Sequence, residues 1–177
     1  MKKSLSAICV AVGVLAASSA YAQVNVTLPN SSQTTTLTAT VAEQADVIVP
    51  AGVTFNVNDI NTATAASGVS ISASGIVLSS ATKTLKISLQ ANAATFTQPS
   101  GSATYNASDV TWNASTWTNA TGASGSLSNS AYNAVATCAA DVASCSTSNL
   151  VFTLAANNNI VRSGNYTLVV TWKFESI

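Results

Sequence analysis

The chain has 177 residues, of which six are basic, six are acidic and none is histidine. Most catalysis relies on a side chain that titrates near neutral pH or on a dense set of charged groups, so this composition argues against an enzyme. So few basic residues cannot neutralise a nucleic-acid backbone, which excludes nucleic-acid binding.

Residues 1–22 are typical of a secretory signal peptide. Two lysines follow the first residue, an apolar run covers residues 5–15, and Ala-Tyr-Ala at 20–22 forms a small-x-small cleavage site. The apolar run is shorter than the roughly 20 residues that a membrane-spanning helix needs. We therefore expect export through the Sec pathway to the periplasm, the cell surface or an extracellular fibre. Cleavage leaves four basic and six acidic residues, a net charge of −2.

The mature chain, residues 23–177, is expected to be a single all-β domain. Apolar and polar residues alternate through most of it, and β-branched residues occur throughout, as is typical of strands. The alternating runs are Val24, Val26, Leu28; Leu37, Ala39, Val41; Val53, Phe55, Val57; Leu85, Ile87, Leu89, Ala91; Leu150, Phe152, Leu154; and Tyr166, Leu168, Val170, Trp172, Phe174. Many short strands separated by turns predict an antiparallel β-sandwich, immunoglobulin-like or pilin-like.

Two regions lack this clear alternation. Residues 63–66 and 131–140 are rich in alanine and are candidates for short turns of helix, although neither has a sustained 3.6-residue period. Residues 98–130 are rich in serine, threonine, asparagine and glycine but contain two tryptophans. We expect strand fragments and long surface loops there, inside the domain.

Cys138 and Cys145 are the two cysteines of the mature chain. Two cysteines in an exported protein most simply form a disulfide, and a loop this short predicts a stabilisation of about 2–3 kcal/mol. A zinc site is a poor alternative with two cysteines and no histidine. The spacing also differs from the Cys-x-x-Cys of redox-active pairs.

No arrangement of side chains predicts catalysis, a cofactor or a metal site. A glycosidase needs two carboxylates that face one cleft, whereas the six acidic residues are scattered along this sequence. Residues 56–61 are rich in oxygen ligands but lack the glycine and the final glutamate of a calcium-binding EF-hand loop.

Trp112 and Trp117 are the one candidate for contact with a ligand, as an aromatic platform for sugar rings. Their spacing of five places them on opposite faces of an uninterrupted strand. A joint platform therefore requires a turn near residues 113–115. The alternative is that at least one of the two belongs to the core.

The export signal, the sparse charge and the last alternating run resemble the subunits of bacterial fimbriae. Residues 163–174, Ser-Gly-Asn-Tyr-Thr-Leu-Val-Val-Thr-Trp-Lys-Phe, are similar to the Gly-x-Tyr turn and final strand of such subunits. The resemblance implies self-assembly with identical subunits, each donating an extended N-terminal strand to a neighbour, with a periplasmic chaperone or outer-membrane assembly machinery as partners. Residues 23–30, with Val24, Val26 and Leu28, are the candidate donor; otherwise they form the first strand of their own domain.

The last strand also resembles that of WxL-like cell-wall domains. Residues 170–174, Val-Thr-Trp-Lys-Phe, correspond to the strand that carries the Trp-x-Leu motif of those domains. Phe174 replaces the expected leucine, and no second Trp-x-Leu is present upstream. The sequence therefore favours an exported structural subunit of a bacterial surface fibre or coat that assembles by strand pairing. The alternative is a monomeric carbohydrate- or cell-wall-binding module that uses the two tryptophans.

Overall fold

The computed structural model describes Ser32 and residues 34–177. The predicted signal peptide and the candidate donor residues Val24, Val26 and Leu28 lie outside the described residues. Thr40–Ile177 is one compact unit. Residues 34–39 belong to a separate unit, where they are exposed and have no regular secondary structure.

The compact unit is all-β with antiparallel pairing, as the alternation predicts. The strands are β1 (Gln44–Ile48), β2 (Thr64–Ala65), β3 (Val69–Val77), β4 (Leu85–Ala91), β5 (Val110–Trp112), β6 (Ala120–Gly122), β7 (Gly125–Ser126), β8 (Asn133–Cys138), β9 (Cys145–Leu150), β10 (Phe152–Leu154) and β11 (Val170–Ser176). One turn of 3₁₀ helix, Ala107–Asp109, precedes β5.

The strands form three sheets rather than the two of a simple sandwich. Their orders are β1-β3-β9, β2-β10-β5-β7 and β11-β4-β8-β6. Val151 alone separates β9 from β10, so the first two sheets meet along consecutive strands. A single core cluster takes side chains from all three sheets, which is the sandwich-like arrangement in which inner faces share one core.

Strand β4 lies at the centre of its sheet and supplies much of the core. Leu85, Ile87, Leu89 and Ala91 are all buried, as their alternation predicts. On one side β4 pairs with β8 and on the other with β11, over the full length from Val170 to Ser176. Strand β11 therefore ends its sheet, with its second edge unpaired by the described residues.

The two expected turns of helix are wrong. Residues 131–140 contain β8, where Val135 and Ala136 are buried, and residues 63–66 contain β2. Alanine favours helices in isolation, but burial and pairing with β4 override that preference, because strand formation depends mainly on packing context. Residues 98–130 contain the 3₁₀ turn and the short strands β5, β6 and β7.

The expected disulfide between Cys138 and Cys145 is confirmed, with the two Cα atoms 5.8 Å apart. It joins the end of β8 to the start of β9, and these strands belong to different sheets. Both cysteines are buried. The bridge therefore fixes one turn between the layers at the edge of the core.

Candidate assembly groove

Residues 49–57 belong to no sheet, although residues 53–57 have the alternation of a strand. Val53, Phe55 and Val57 are half-buried and pack against the core, while Thr54 and Asn56 between them are exposed. Residues 52–57 form no backbone hydrogen bond with any other described residue. We call residues 49–57 the first rim, because they present an unpaired strand-like edge beside the core.

Residues 160–169, which lead into β11, form a second rim. Thr167 exchanges backbone hydrogen bonds of 2.8 and 3.0 Å with Thr97, and Val169 accepts one of 2.9 Å from Asn92. These bonds secure one edge of the segment. Tyr166 and Leu168 are half-buried and pack against the core. The alternation therefore continues from the second rim into β11, and no strand of the described residues pairs with the other edge of β11.

A groove with a volume of about 1040 Å³ lies against both rims. Its floor consists of core side chains from β4, β5 and β10 and from the loops between them: Leu89, Phe96, Tyr105, Val110, Leu127, Phe152 and Leu154. Val170 and Trp172 of β11 extend the second wall. The groove is thus an apolar slot between two backbone edges, each of which can still form hydrogen bonds.

The second rim is held by a hydrogen-bond network around Tyr166. Its hydroxyl donates to the carbonyl oxygen of Arg162, four residues earlier, at 2.8 Å, and the hydroxyl of Ser102 lies 2.8 Å away. Immunoglobulin-type sandwiches use such a tyrosine corner at the start of an inner strand. Gly164 allows the turn in between, since its φ is 142° and a Cβ atom there would lie 2.7 Å from Pro99.

Three aromatic rings continue from this corner into the floor of the groove. Tyr166 and Tyr105 meet edge to face with centroids 5.7 Å apart, and Tyr105 meets Phe96 at 5.9 Å. Such contacts add about 0.5–1.5 kcal/mol each beyond area burial. Burial, followed by the nearby Tyr166 and Asp109, raises the pKa of Tyr105, which keeps its phenol neutral.

The groove carries very little charge. Arg162 is the one charged side chain among the described residues that line it. An uncharged segment can therefore enter without the desolvation of an ionised group, which is costly in an apolar environment.

The two tryptophans do not form a surface platform. Trp112 is 2% exposed and packs edge to face on Phe152 at 6.1 Å, while Trp117 is 9% exposed. Gly125 lies so close to Trp112 that a Cβ atom there would meet its ring at 2.7 Å. A sugar ring stacks on an open aromatic face, and neither indole offers one, so the expected glycan contact is replaced by a role in the core.

A polar contact fixes the chain just before β1. One carboxylate oxygen of Glu43 accepts hydrogen bonds from the backbone N–H of Ser79 at 2.7 Å and from the Lys83 ammonium at 3.0 Å. Hydrogen bonds from Ser79, and then from Lys83, lower the pKa of Glu43 from 4.5 to about 2. We call this contact the Glu43 clip.

Comparisons with protein-family models, curated proteins and solved structures return no match. Within Ser32 and residues 34–177, no group of three or more Cys, Asp or Glu side chains is placed to hold a metal ion. In the same part of the chain, no helix has the length and apolar character needed to cross a membrane.

Proposed function

We propose that this protein is an exported structural subunit of a bacterial surface fibre or coat, and that its subunits assemble by β-strand pairing. The observation that supports the proposal is the groove, which combines an apolar floor with a first rim that is unpaired and a second rim that is paired along one edge only. A sandwich that lacks one strand has this combination. A strand from a second copy supplies what is missing.

The inserted strand would be held by two kinds of contact. Its backbone pairs with the first rim and with the free edge along β11, as in other cases of strand addition to a sheet edge. Its apolar side chains enter the groove, where full burial of each valine or leucine contributes about 1.5–3 kcal/mol. Both contributions offset the free-energy cost of losing translational and rotational freedom on association.

The open groove is also the reason that we expect a chaperone or assembly machinery as a partner. Open strand edges beside apolar surface promote uncontrolled association. A periplasmic chaperone or outer-membrane assembly machinery that covers the groove until a subunit is added would prevent this. We include such a partner in the proposal, together with identical subunits.

The test places a charge in the groove and, as a control, on the outside of the same rim. Val53→Asp puts a carboxylate among the apolar lining residues, whereas Asn56→Asp puts one at an exposed position of the same rim that does not line the groove. We expect the exported Val53→Asp protein to be monomeric by size-exclusion chromatography with light scattering. We expect Asn56→Asp to form the filaments of the unmodified protein in negative-stain micrographs.

Circular dichroism establishes that both variants are folded. A folded Val53→Asp protein that forms the same filaments would contradict the proposal. So would unmodified exported protein that stays monomeric at all concentrations and in the presence of its own cell envelope.

A further inference from the structure

Two alternating segments near the start of the chain are candidates for the strand that fills the groove. The first rim bends at Ala51, and the unpaired stretch after the bend, residues 52–57, has six residues, which span about 20 Å at roughly 3.3 Å per residue in a strand. The alternating residues 23–28 number six and span about 20 Å on the same basis. Pro29 follows at once, and proline lacks the N–H that a strand paired on both edges needs.

Residues 34–41, Thr-Thr-Thr-Leu-Thr-Ala-Thr-Val, are the longer uninterrupted segment. Eight residues span about 26 Å, and the segment contains no proline, glycine or charged residue. In a strand, Leu37, Ala39 and Val41 share one face and the threonines share the other. The segment therefore has an apolar face for a groove and a polar face for solvent.

Exposure of this segment is the second observation. Leu37 is 92% exposed and Val41 is 73% exposed, more than any other large hydrophobic residue in the described chain. An alternating segment rich in β-branched residues, with its apolar side chains in water, has the sequence pattern of a strand but no partner to pair with. The groove is the complementary feature: two edges without a strand between them.

We propose that residues 34–41 of a second copy of this chain occupy the groove. The inference rests on the proposed function and identifies the segment that performs it. It also sets the connection between subunits. Ala42 alone separates the inserted strand from the Glu43 clip, so neighbouring domains would be joined by a very short linker, and we expect a stiff fibre.

The test compares three charge substitutions in the full exported protein. Leu37→Asp changes the apolar face of residues 34–41, Thr38→Asp changes their polar face, and Val26→Asp changes the other alternating segment. We expect Leu37→Asp to abolish polymers in light scattering and micrographs, and the other two variants to retain them.

A peptide provides a separate measurement. The Leu37→Asp protein would have a normal groove but a defective donor. A fluorescein-labelled peptide with the sequence of residues 34–42 should bind to it, as measured by fluorescence anisotropy. The same peptide with aspartate in place of Leu37 should bind at least tenfold more weakly.

Several results would overturn the inference. Loss of polymers in Val26→Asp, with polymers retained in Leu37→Asp, would make residues 23–28 the donor and leave the proposed function standing. Retention of polymers in both, with loss in Val53→Asp, would place the donor elsewhere in the chain. A monomeric unmodified protein whose thermal midpoint falls in Leu37→Asp would make the occupant the chain's own segment. If Val53→Asp also forms polymers, the proposed function fails together with the inference.

Discussion

At the residue scale, the hydroxyl of Tyr166 fixes the shape of the second rim. It joins the carbonyl of Arg162 to the hydroxyl of Ser102, across the turn that Gly164 makes possible. Without it, Tyr166 would still pack on Tyr105, but the turn would lose the hydrogen bonds that set its position.

We therefore expect Tyr166→Phe to lower the free energy of unfolding by about 1 kcal/mol, a typical net value for one hydrogen bond. Chemical denaturation measures the difference. Tyr132→Phe is the matched control, since the Tyr132 hydroxyl makes no hydrogen bond with the described residues, although Lys173 lies over its ring. Equal effects of the two substitutions would show that the corner does not hold the rim.

The Glu43 clip predicts a local response to acid. The pKa of Glu43 is about 2 in the folded protein, against an ordinary value of 4.5. A lowered folded-state pKa means that the contribution of the clip to stability is present above the ordinary value and is lost as the pH falls towards 2. Because the carboxylate is exposed, solvent screening keeps that contribution small.

An NMR titration of the side-chain carboxyl carbon should give a midpoint near 2 for Glu43. The backbone N–H signal of Ser79 should shift over the same pH range. Glu43→Gln removes the charge and should abolish that shift. A midpoint near the ordinary value would mean that the clip is not formed in solution.

At the element scale, the disulfide between β8 and β9 holds two sheets at one turn. Replacement of both Cys138 and Cys145 by serine should lower the free energy of unfolding by about 2–3 kcal/mol, the value expected from the entropy of closing so short a loop. Denaturation of this double variant, compared with the oxidised protein, gives the number. Polymers should still form, because neither cysteine lines the groove; their absence would tie the bridge to assembly.

The sequence predicts the strands of this protein better than it predicts their partners. Alternation correctly predicts β4, whose apolar side chains are all buried by other parts of the same chain. It also predicts strands at Val53–Phe55–Val57 and at Leu37–Ala39–Val41, where the structure has none. An alternating pattern shows that a segment suits a half-buried position in a sheet. It forms a strand only where a neighbouring strand is available for pairing.

The same limit explains why the sequence left the position of the two tryptophans open and why it did not predict the groove. Spacing alone allowed Trp112 to face either solvent or core, and only the close approach of Gly125 and Phe152 decides between them. The groove depends on which side chains from β4, β5 and β10 meet, and these are far apart in the sequence. Its one sequence signal is an alternating run, residues 53–57, that continues after Pro50 and Gly52 interrupt the chain.

At the scale of the whole molecule, the scarcity of charged residues leaves the unpaired strand edges without the side chains that usually prevent association between edges. Natural sheets usually protect their edges with charged residues, proline or bulges. Here Pro50 stands near the start of the first rim, but residues 53–57 have no proline and no charged residue, and Arg162 is the one charge among the described residues that line the groove. A surface of this kind is expected where edges are meant to pair.

Assembly through such a groove should depend little on salt. Raising the ionic strength from 0.1 to 1 M shortens the Debye length from about 10 to 3 Å and weakens exposed charge pairs. Residues 34–41 have no charge to screen, and burial of apolar surface is not weakened by simple salts. The fraction of protein in polymers, measured by sedimentation, should therefore change less than about twofold over this range. Arg162→Gln should give the same flat dependence. A steep loss of polymers at high salt, reduced by Arg162→Gln, would instead mean that an ion pair at the mouth of the groove holds the subunits together.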